Sequence, residues 1–585
     1  MTGSDTGFTG RGADLVVECL VRAGIDRLFG VPGDTGVVLY DALYHRTEDI
    51  THVLARDERH AAAMADGYAR VRGTVGVVEV SSGGGTTYVV GGLGEAYASG
   101  VPVLLITSDI HRASRGTGAL TEIDQEALFS AVTKWRATVE DAEEIPAAMA
   151  QALTQLTTGR PAPVALIFPE DVLDQRVSLE AIGGAIGDRL DARLPRVRPE
   201  AEPADLDRAA QLLGQATAPV ILAGSGVHLS GATANLRGLA ETAGIPVATT
   251  IHGKGVIADD SPWSIGVAGN NGGLDYVNAY LADSDVALLV GTRANATDTN
   301  SYTGPARSAT VIGIDIERSR AGRNYPGALA LVGDADRVLA ALAERAARAV
   351  PADLAERSSR LRARLDSARS EWEARHAEPV RLAERQLLPA DVIRLAQATM
   401  GESTVVVADP GTPTPNVAAF WRVPEAGRRV IVPRGHGPMG YAIPAAIGAA
   451  FARPGEPVLA LTADGSFNMA CGELETVSRF NLPIVFIQFT NHSMGWIKML
   501  QHLYAGRRYF GVDPGTVDAA KVARASGIRG VRARELAEVK AAIAEAVRAM
   551  APVYIDVEVP HMIDHTPPVP AWTKALAGDT ERPVY

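Results

Sequence analysis

Short apolar runs rich in valine and isoleucine recur along the chain, and a glycine or polar turn and then a helix-like stretch follow each of them. Runs of this kind, flanked by helices, are typical of strands in buried parallel sheets. The alternation predicts an α/β fold of doubly wound parallel sheets, with ligands bound beyond the carboxyl ends of the strands. The ten clearest runs span residues 75–80, 102–107, 163–168, 219–224, 286–291, 309–316, 404–409, 457–464, 483–491 and 552–559.

The chain is too long, at 585 residues, for a single hydrophobic core. A stretch rich in proline and charge at 194–204 is typical of a linker, and a run dense in Arg, Glu and Ala at 351–384 predicts one or two exposed helices before a new domain. We therefore expect three consecutive α/β domains, at 8–190, 198–346 and 385–565. The proline-containing tail at 567–585 is expected to lie over a neighbouring subunit.

Composition excludes several classes of protein. The net charge of −12 and a pI near 5.6 argue against a nucleic-acid partner, because phosphate binding needs a basic face. Two cysteines, Cys19 and Cys471, give neither a disulfide framework nor a zinc cluster. The first ten residues lack the apolar stretch of a signal peptide, and no run approaches the roughly 18 apolar residues of a membrane helix. These features predict a soluble, cytoplasmic protein without a membrane partner.

The strongest motif lies where two neighbouring strand runs end. Asp464, Gly465 and Ser466 follow one run, and Asn491 and Ser493 follow the next. A right-handed crossover places such strands side by side, so the carboxylate and the amide would emerge at one edge of the sheet. Carboxylate, amide and carbonyl oxygens suit Mg²⁺ or Ca²⁺, with diphosphate oxygens filling the remaining positions. Each residue alone would be ordinary turn chemistry, whereas together they predict a metal and diphosphate site.

The segment from Ala463 to Trp496 resembles the cofactor-binding motif of thiamine diphosphate enzymes. In that family the motif opens with Gly-Asp-Gly and closes with Asn-Asn, where this chain has Ala-Asp-Gly and Thr-Asn. The resemblance implies that Asp464, Asn491 and the main-chain carbonyl of Ser493 hold Mg²⁺. It also implies that the cofactor contacts neighbouring residues of the motif, which are Gly465, Ser466, Met494 and Gly495.

Glu58 is the candidate for the carboxyl group that thiamine chemistry needs to exchange a proton with the pyrimidine ring. It opens an alanine-rich helix after a strand-like run, and in isolation an acidic residue there would merely favour the helix dipole. The segments at 12–34, 54–70, 81–107, 133–141 and 159–172 resemble the pyrimidine-binding domain of the same family, and Glu58 falls on the family's glutamate. Within these segments the resemblance also places Pro32, Gly83 and Gly85 at the cofactor.

The segment at 434–451 resembles the family's support for the thiazolium ring. The resemblance implies that Met439 wedges between the two rings of the cofactor; the alternative is an ordinary core methionine. His436 lies in the same segment and could reach the reaction centre. Asp409, Gly411 and Thr412 follow a strand at the position where the family contacts the diphosphate or the substrate.

The central segment at 198–346 resembles the domain that binds FAD in acetolactate synthases and pyruvate oxidases. Gly291 and Arg293 are kept, but the Phe-Asp-Asp-Arg that typically follows in acetolactate synthases is absent. FAD, another nucleotide and no ligand remain the alternatives for this domain.

The resemblance as a whole is closest to the acetolactate synthase-like branch. It implies an enzyme that decarboxylates a 2-oxo acid and ligates the product to a second carbonyl compound, in a homodimer or homotetramer whose subunits share active sites. Thr121 stands where acetolactate synthases carry a glutamine facing the reaction centre, and Asp34 matches the decarboxylase branch. A non-ligating decarboxylase, a lyase of hydroxy ketones and a flavin-dependent oxidase are therefore the alternatives.

Overall fold

Three six-stranded parallel sheets form the framework of the computed structural model, which describes residues 9–178, 189–348, 351–377, 386–578 and 582–583. The chain divides into two structural units that are not continuous in sequence. Unit 1 contains residues 1–197, 433–456 and 470–482, and unit 2 contains residues 198–432, 457–469 and 483–585.

The first sheet lies in unit 1, and its strands follow the order β3-β2-β4-β5-β7-β6. The strands are β1 (Thr9–Arg11), β2 (Arg27–Val31), β3 (Thr51–Leu54), β4 (Gly76–Val80), β5 (Val103–Asp109), β6 (Trp135–Thr138), β7 (Val164–Pro169) and β8 (Arg176–Ser178). The helices are α1 (Gly12–Arg22), α2 (Val37–Tyr44), α3 (Glu58–Arg72), α4 (Gly84–Ser99), α5 (Gln125–Phe129), α6 (Ile145–Thr157) and α7 (Glu170–Asp174). Strands β1 and β8 form a separate antiparallel pair.

The second sheet has the order β11-β10-β9-β12-β13-β14. Its strands are β9 (Pro219–Ala223), β10 (Val247–Thr249), β11 (Ser264–Val267), β12 (Val286–Val290), β13 (Thr310–Asp315) and β14 (Leu329–Val332). The accompanying helices are α8 (Pro203–Gln215), α9 (Ser225–Ser230), α10 (Thr233–Ala243), α11 (Asp275–Asp283), α12 (Ala335–Arg348) and α13 (Leu354–Ala377).

The third sheet has the order β16-β15-β17-β18-β20-β19. Its strands are β15 (Val405–Ala408), β16 (Val430–Ile431), β17 (Val458–Ala463), β18 (Ile484–Thr490), β19 (Arg529–Ala533) and β20 (Val553–Glu558). The helices are α14 (Pro389–Met400), α15 (Pro413–Phe420), α16 (Ala442–Ala452), α17 (Asp464–Ala470), α18 (Leu474–Arg479), α19 (Gly495–Tyr504), α20 (Ala519–Ala525), α21 (Leu536–Ala549) and α22 (Pro570–Leu576).

The predicted fold class is confirmed. All ten apolar runs form strands, and each lies in the interior of its sheet rather than at an edge. All three sheets are parallel throughout, and helices separate their strands along the chain. The protein is therefore built from three α/β sheets in sequence.

Helix α3, which begins with Glu58, is buried along most of its length. Asp57 caps its start by accepting a hydrogen bond from the Arg59 N–H, and Gly73 ends it in the left-handed conformation. Every residue from 60 to 71 is buried, as the alanine-rich sequence predicted. The helix packs on α16, where a side chain larger than hydrogen on Gly67 or Gly448 would clash with the facing backbone. Small residues thus let the two helices approach closely.

Two details differ from the sequence predictions. Helix α13 is not simply an exposed helix, because Leu361, Leu365 and Trp372 join the hydrophobic core of unit 2. The tail packs on its own chain: Trp572 is fully buried beside Met499 and Trp496 of α19. The predictions for residues 1–8, 378–385, 579–581 and 584–585 lie outside the described residues.

None of the helices within the described ranges combines the length and the apolar composition that a bilayer-spanning segment needs.

Candidate active site

The predicted site residues follow the strands at which each sheet reverses its direction of growth. In the first sheet this point lies between β2 and β4, and in the third sheet it lies between β15 and β17. Loops at such a switch point diverge and leave a crevice outside the carboxyl ends of the strands, where α/β proteins bind ligands. Pro32 and Gly83 follow the first pair of strands, and Asp409 and Asp464 follow the second.

Glu58 is the first residue of α3 and lies beside the loop after β4. Its Oε1 atom is 3.4 Å from the position that a methyl group on Gly85 would occupy. Partial burial raises the pKa of the Glu58 carboxyl, and the charge of Asp57 adds to this shift. The structure thus brings Glu58 and Gly85 together, with the Glu58 side chain half-buried.

Gly83 has a φ of +70° at the start of α4, a conformation that L-residues rarely adopt. A methyl group there would lie 2.7 Å from Cβ of Thr121. Thr121 itself has a φ of +67°, which is a genuine outlier for a β-branched residue, and its hydroxyl accepts a 2.8 Å hydrogen bond from Ser82. Pro32 is exposed, and the loop that contains it packs on Ser81 through Gly33. The loops after β2 and β4 therefore meet each other and Thr121.

His436 lies in a loop that a buried carboxylate holds. Glu95 accepts hydrogen bonds from three successive backbone N–H groups, those of Gly435 (3.0 Å), His436 (2.7 Å) and Gly437 (3.1 Å). The His436 ring lies against Gly94, and Met439 is half-buried three residues further on. This loop is a fixed element of unit 1.

A buried ionic network supports Glu95 from the side of α3. Arg70 donates to Asp66 at 2.5 Å and to Glu95 at 3.3 Å, and Tyr441 donates to Asp66. The side chain of Arg70 is 2% exposed, and those of Asp66 and Glu95 are no more exposed. One buried cation thus balances two buried carboxylates next to the loop that carries His436.

Asp464 and Asn491 are neighbours in unit 2, at the carboxyl ends of β17 and β18. Asp464 Oδ2 accepts hydrogen bonds from the N–H groups of Asn491 (3.2 Å) and His492 (2.7 Å), and its Oδ1 accepts from Gly465 (2.9 Å). Asn491 Oδ1 accepts from the N–H and the hydroxyl of Ser493, at 3.2 and 3.1 Å. Burial raises the pKa of the Asp464 carboxyl, and these backbone donors oppose the shift. Asp464 and Asn491 are therefore adjacent, as the crossover between their strands predicted.

The oxygens of this motif fit a hard cation and a phosphate. Carboxylate, amide and carbonyl oxygens are the donors that Mg²⁺ and Ca²⁺ prefer. The Ser466 hydroxyl is fully buried at the start of α17, and no described residue hydrogen-bonds to it. Within the described ranges no cluster of three or more His, Cys, Asp or Glu side chains offers another metal site. A methyl group on Gly495 would lie 2.9 Å from the Asn491 amide nitrogen, so Gly495 also leaves room beside the motif.

Helix α17 begins at Asp464 itself. Helix α18 follows it within the same crossover, before β18. Met494 caps the start of α19, and its N–H donates to the carbonyl of Val512 at 2.7 Å.

Asp409, Gly411 and Thr412 lie at the end of β15, next to β17. The buried Asp409 carboxylate accepts a 2.8 Å hydrogen bond from Thr462, two residues before Asp464. Gly411 has a φ of +91°, and the carbonyl of Thr412 accepts from the Asn416 side chain at 2.9 Å. These three residues therefore belong to the same sheet edge as the Asp464 motif.

The predicted residues thus form two sets, each within one unit. Unit 1 holds Glu58, Pro32, Gly83, Gly85, His436 and Met439, and unit 2 holds Asp409, Gly411, Thr412, Asp464, Gly465, Ser466, Asn491, Ser493, Met494 and Gly495.

Sequence reasoning missed Glu79, which is fully buried in β4. The signal was present, because a carboxylate within an apolar strand is rarely buried without a partner. It also missed Glu95, whose role depends on amides from a segment about 340 residues away.

Gly291 of the central sheet has a local structural explanation. A methyl group on Gly226 would lie 2.6 Å from Cα of Gly291, which has a φ of +54°. The loops after β9 and β12 are therefore packed backbone against backbone. Glycine at position 291 therefore has a packing explanation that involves no bound nucleotide.

Three family models match consecutive parts of the chain. The N-terminal TPP binding domain of thiamine pyrophosphate enzymes matches residues 10–128. The central domain of these enzymes matches residues 206–342, and their C-terminal TPP binding domain matches residues 409–557. Each model covers strands of one of the three sheets.

The chain is also similar to acetolactate synthases over nearly its whole length. It is 32% identical to a probable acetolactate synthase large subunit of Methanocaldococcus jannaschii, over 94% of this chain and 92% of that protein. It is 33% identical to an acetolactate synthase large subunit of Mycobacterium tuberculosis, over 93% and 87% of the two chains. Identity to the isozyme 3 large subunit of Escherichia coli is 30%, over 94% of each chain.

Proposed function

Because this chain belongs to the thiamine pyrophosphate enzyme family, in its acetolactate synthase-like branch, we propose that it decarboxylates a 2-oxo acid and joins the two-carbon unit to a second carbonyl compound. The observation that carries the proposal is the presence of both cofactor-binding domains in a chain that aligns with these synthases almost end to end. The chain is thus a thiamine diphosphate-dependent enzyme that forms carbon–carbon bonds.

Glu58 is proposed as the residue that activates the cofactor. Bound thiamine diphosphate supplies an electron sink for the carbon next to the carbonyl group. Glu58 would hold a proton at its carboxyl oxygen and exchange it with the pyrimidine ring. The burial that raises its pKa supports this role, because a proton donor works best when its pKa is near the working pH.

The Asp464 motif is proposed to hold Mg²⁺ and the diphosphate. Asp464, Asn491 and the Ser493 carbonyl would be the metal ligands, and their hard oxygens support this assignment. The unpartnered Ser466 hydroxyl is a hydrogen-bond donor that phosphate oxygens would satisfy, with Gly465 next to it. The motif's hydrogen bonds to backbone N–H groups would orient the ligands before the metal binds.

The remaining predicted residues are proposed to shape the cofactor site. Met439 would lie against the cofactor rings, and the loop held by Glu95 would keep His436 within reach of the reaction centre. The other proposed contacts are Pro32, Gly83, Gly85, Asp409, Gly411, Thr412, Met494 and Gly495. We also propose the domain limits 8–190, 198–346 and 385–565.

A second copy of the chain is proposed to complete each active site, in a homodimer or homotetramer. Three large apolar side chains that follow or flank the loops of the Glu58 set are exposed: Val37 (63%), Tyr88 (59%) and Leu120 (85%). Exposed apolar surface next to a site supports burial against a partner. Sedimentation velocity of the purified chain tests this proposal, and a monomer at micromolar concentration would contradict it.

The reaction with pyruvate tests the proposed function. Purified protein is incubated with pyruvate, with and without thiamine diphosphate and Mg²⁺, while carbon dioxide and the organic products are followed together. Cofactor-dependent acetolactate, lost in Glu58→Gln, is the expected result. Acetaldehyde alone would instead support a decarboxylase, and oxygen consumption with yellow protein would support a flavin-dependent oxidase. Failure to bind thiamine diphosphate would overturn the proposal.

A further inference from the structure

A fully buried carboxyl group lies in the middle of the first sheet. Glu79 is 0% exposed in β4, between β2 and β5, and all five residues of the strand are buried. Among the described residues no Lys or Arg forms an ion pair with it, and its Oε1 atom has no hydrogen-bond partner. A buried carboxylate without a cation is strongly unfavourable, so we expect Glu79 to be in its neutral, protonated form.

Glu79 meets two other titratable side chains above Gly30 of β2. The Tyr40 hydroxyl, from α2, donates to Glu79 Oε2 and lies 3.2 Å from Nε2 of His52 on β3. A methyl group on Gly30 would be 2.8 Å from Glu79 Oε2 and 3.3 Å from His52 Nε2. Glycine at this position of β2 therefore makes the cluster possible.

The cluster lies behind Glu58. A methyl group on Gly85 would be 3.4 Å both from Glu58 Oε1 and from Cβ of Val80, the residue after Glu79. The charge of Glu58 acts electrostatically on the cluster, because it raises the pKa of both Glu79 and Tyr40. Glu58 and Glu79 are thus two carboxyls at the same end of β4, one accessible and one enclosed.

The cluster is neutral at neutral pH. Burial raises the pKa of Glu79 to about 8, the hydrogen bond from Tyr40 lowers it in part, and the charge of Glu58 raises it further. Burial lowers the pKa of His52 to about 4, and the charge of Arg479 adds to this shift. Burial also raises the pKa of Tyr40. Glu79 is therefore protonated while His52 and Tyr40 are uncharged.

We propose that Glu79 is a positioning residue that acts through Glu58. While Glu79 keeps its proton it is uncharged, so no second negative charge lies near the activating carboxyl of Glu58. The inference rests on the proposed function, in which Glu58 exchanges a proton with the cofactor. When Glu79 loses its proton, the new charge makes Glu58 hold its proton more tightly. Glu58 then releases the proton less readily, and turnover falls on the alkaline side.

The first arm of the test uses protein without cofactor. Infrared difference spectra between about pH 6 and pH 10 follow the C=O stretch of protonated carboxyl groups. We expect one buried carboxyl to titrate near pH 8 in the wild type, because burial raises the pKa of Glu79 to about 8, and we expect its band to vanish in Glu79→Gln. In Tyr40→Phe the midpoint moves to higher pH, because the hydroxyl that stabilises the anion is gone. Absence of any titrating band that depends on Glu79 would overturn the inference whatever the enzyme does.

The second arm compares the shape of the pH profiles of kcat/KM. The wild type is expected to show an alkaline limb with a midpoint near 8, which disappears in Glu79→Gln and moves upward in Tyr40→Phe. Parallel profiles would overturn the role of Glu79 while leaving the proposed function intact. If Glu79→Gln does not fold, Tyr40→Phe alone decides, since an unmoved limb in that variant contradicts the inference.

A third readout does not depend on turnover. The Kd for thiamine diphosphate, from quenching of tryptophan fluorescence, is measured against pH in wild type and Glu79→Gln. We expect the wild-type Kd to change across the Glu79 titration and the variant's Kd to stay level. If no 2-oxo acid reacts, the proposed function fails, and a pH dependence shared by both proteins would then also reject the inference about Glu79.

Discussion

Arg70→Met should strongly destabilise unit 1, because Arg70 is the cation between Asp66 and Glu95 in a region without solvent. Its side chain is 2% exposed, so methionine would leave two buried carboxylates uncompensated. Breaking a buried ion pair by removing one partner costs about 3–5 kcal/mol. For a unit of 150–250 residues this corresponds to a fall in Tm of roughly 6–20 °C.

The matched control is Arg193→Met, which removes an arginine that is 90% exposed and paired with Asp191 in the same unit. An exposed pair contributes about 0–1 kcal/mol, so this variant should melt within a few degrees of wild type. Thermal melts by circular dichroism and urea unfolding measure both variants. Equal melting of the two variants would refute the view that the buried network stabilises unit 1. Addition of Asp66→Asn to Arg70→Met should recover part of the loss, since one uncompensated charge is removed.

Three further changes test the site. Glu58→Gln should lower kcat/KM by about 10²–10⁴-fold with an unchanged Tm. The control Glu48→Gln, at an exposed position, should alter neither quantity. Activity of Glu58→Gln near that of the wild type would argue against Glu58 as the activator. Asp464→Asn should raise the Mg²⁺ concentration for half-activation by at least about tenfold, and unchanged metal dependence would remove Asp464 from the ligand set. Between about pH 6.5 and 4, His52 is neutral in the folded protein and charged in the unfolded chain, so stability should fall as the pH is lowered through this range. The urea midpoint of His52→Gln should fall less over the same range, because this titration is absent.

Most interior strands of the three sheets could be predicted from sequence, but β2 and β10 and most of the edge strands could not. All ten apolar runs lie inside their sheets, where both faces are covered and the sequence is mostly apolar. Edge strand β19 (Arg529–Ala533) has arginine in its sequence and partly exposed residues, so it has no continuous apolar run. Edge strand β16 has only two residues, Val430 and Ile431, which is too short for any periodicity to show.

Some contacts of the candidate site could likewise be predicted from the sequence, and others could not. The neighbourhood of Asp464 and Asn491 followed from the crossover rule, because that rule concerns strands that are consecutive in sequence. The contact of Glu95 with the loop of His436 joins distant parts of the chain, and no local pattern contains it. Glu79 was visible as a charge in a strand, but its meeting with Tyr40 and His52 depends on the room left by Gly30 on a different strand.

The packing of α3 on α16 has a consequence for synthesis of the chain. Helix α3 ends at Arg72, and the helix that covers it begins only at Ala442. At 5–20 residues per second, the ribosome takes roughly 20–70 s to make the intervening residues. During that time the apolar face of α3 has no native cover from α16, although the strands of its own sheet are complete once residue 169 has been made. Molecular chaperones that bind exposed apolar helices would therefore meet their substrate in the first third of this chain, and release would follow synthesis of the segment that contains Gly448.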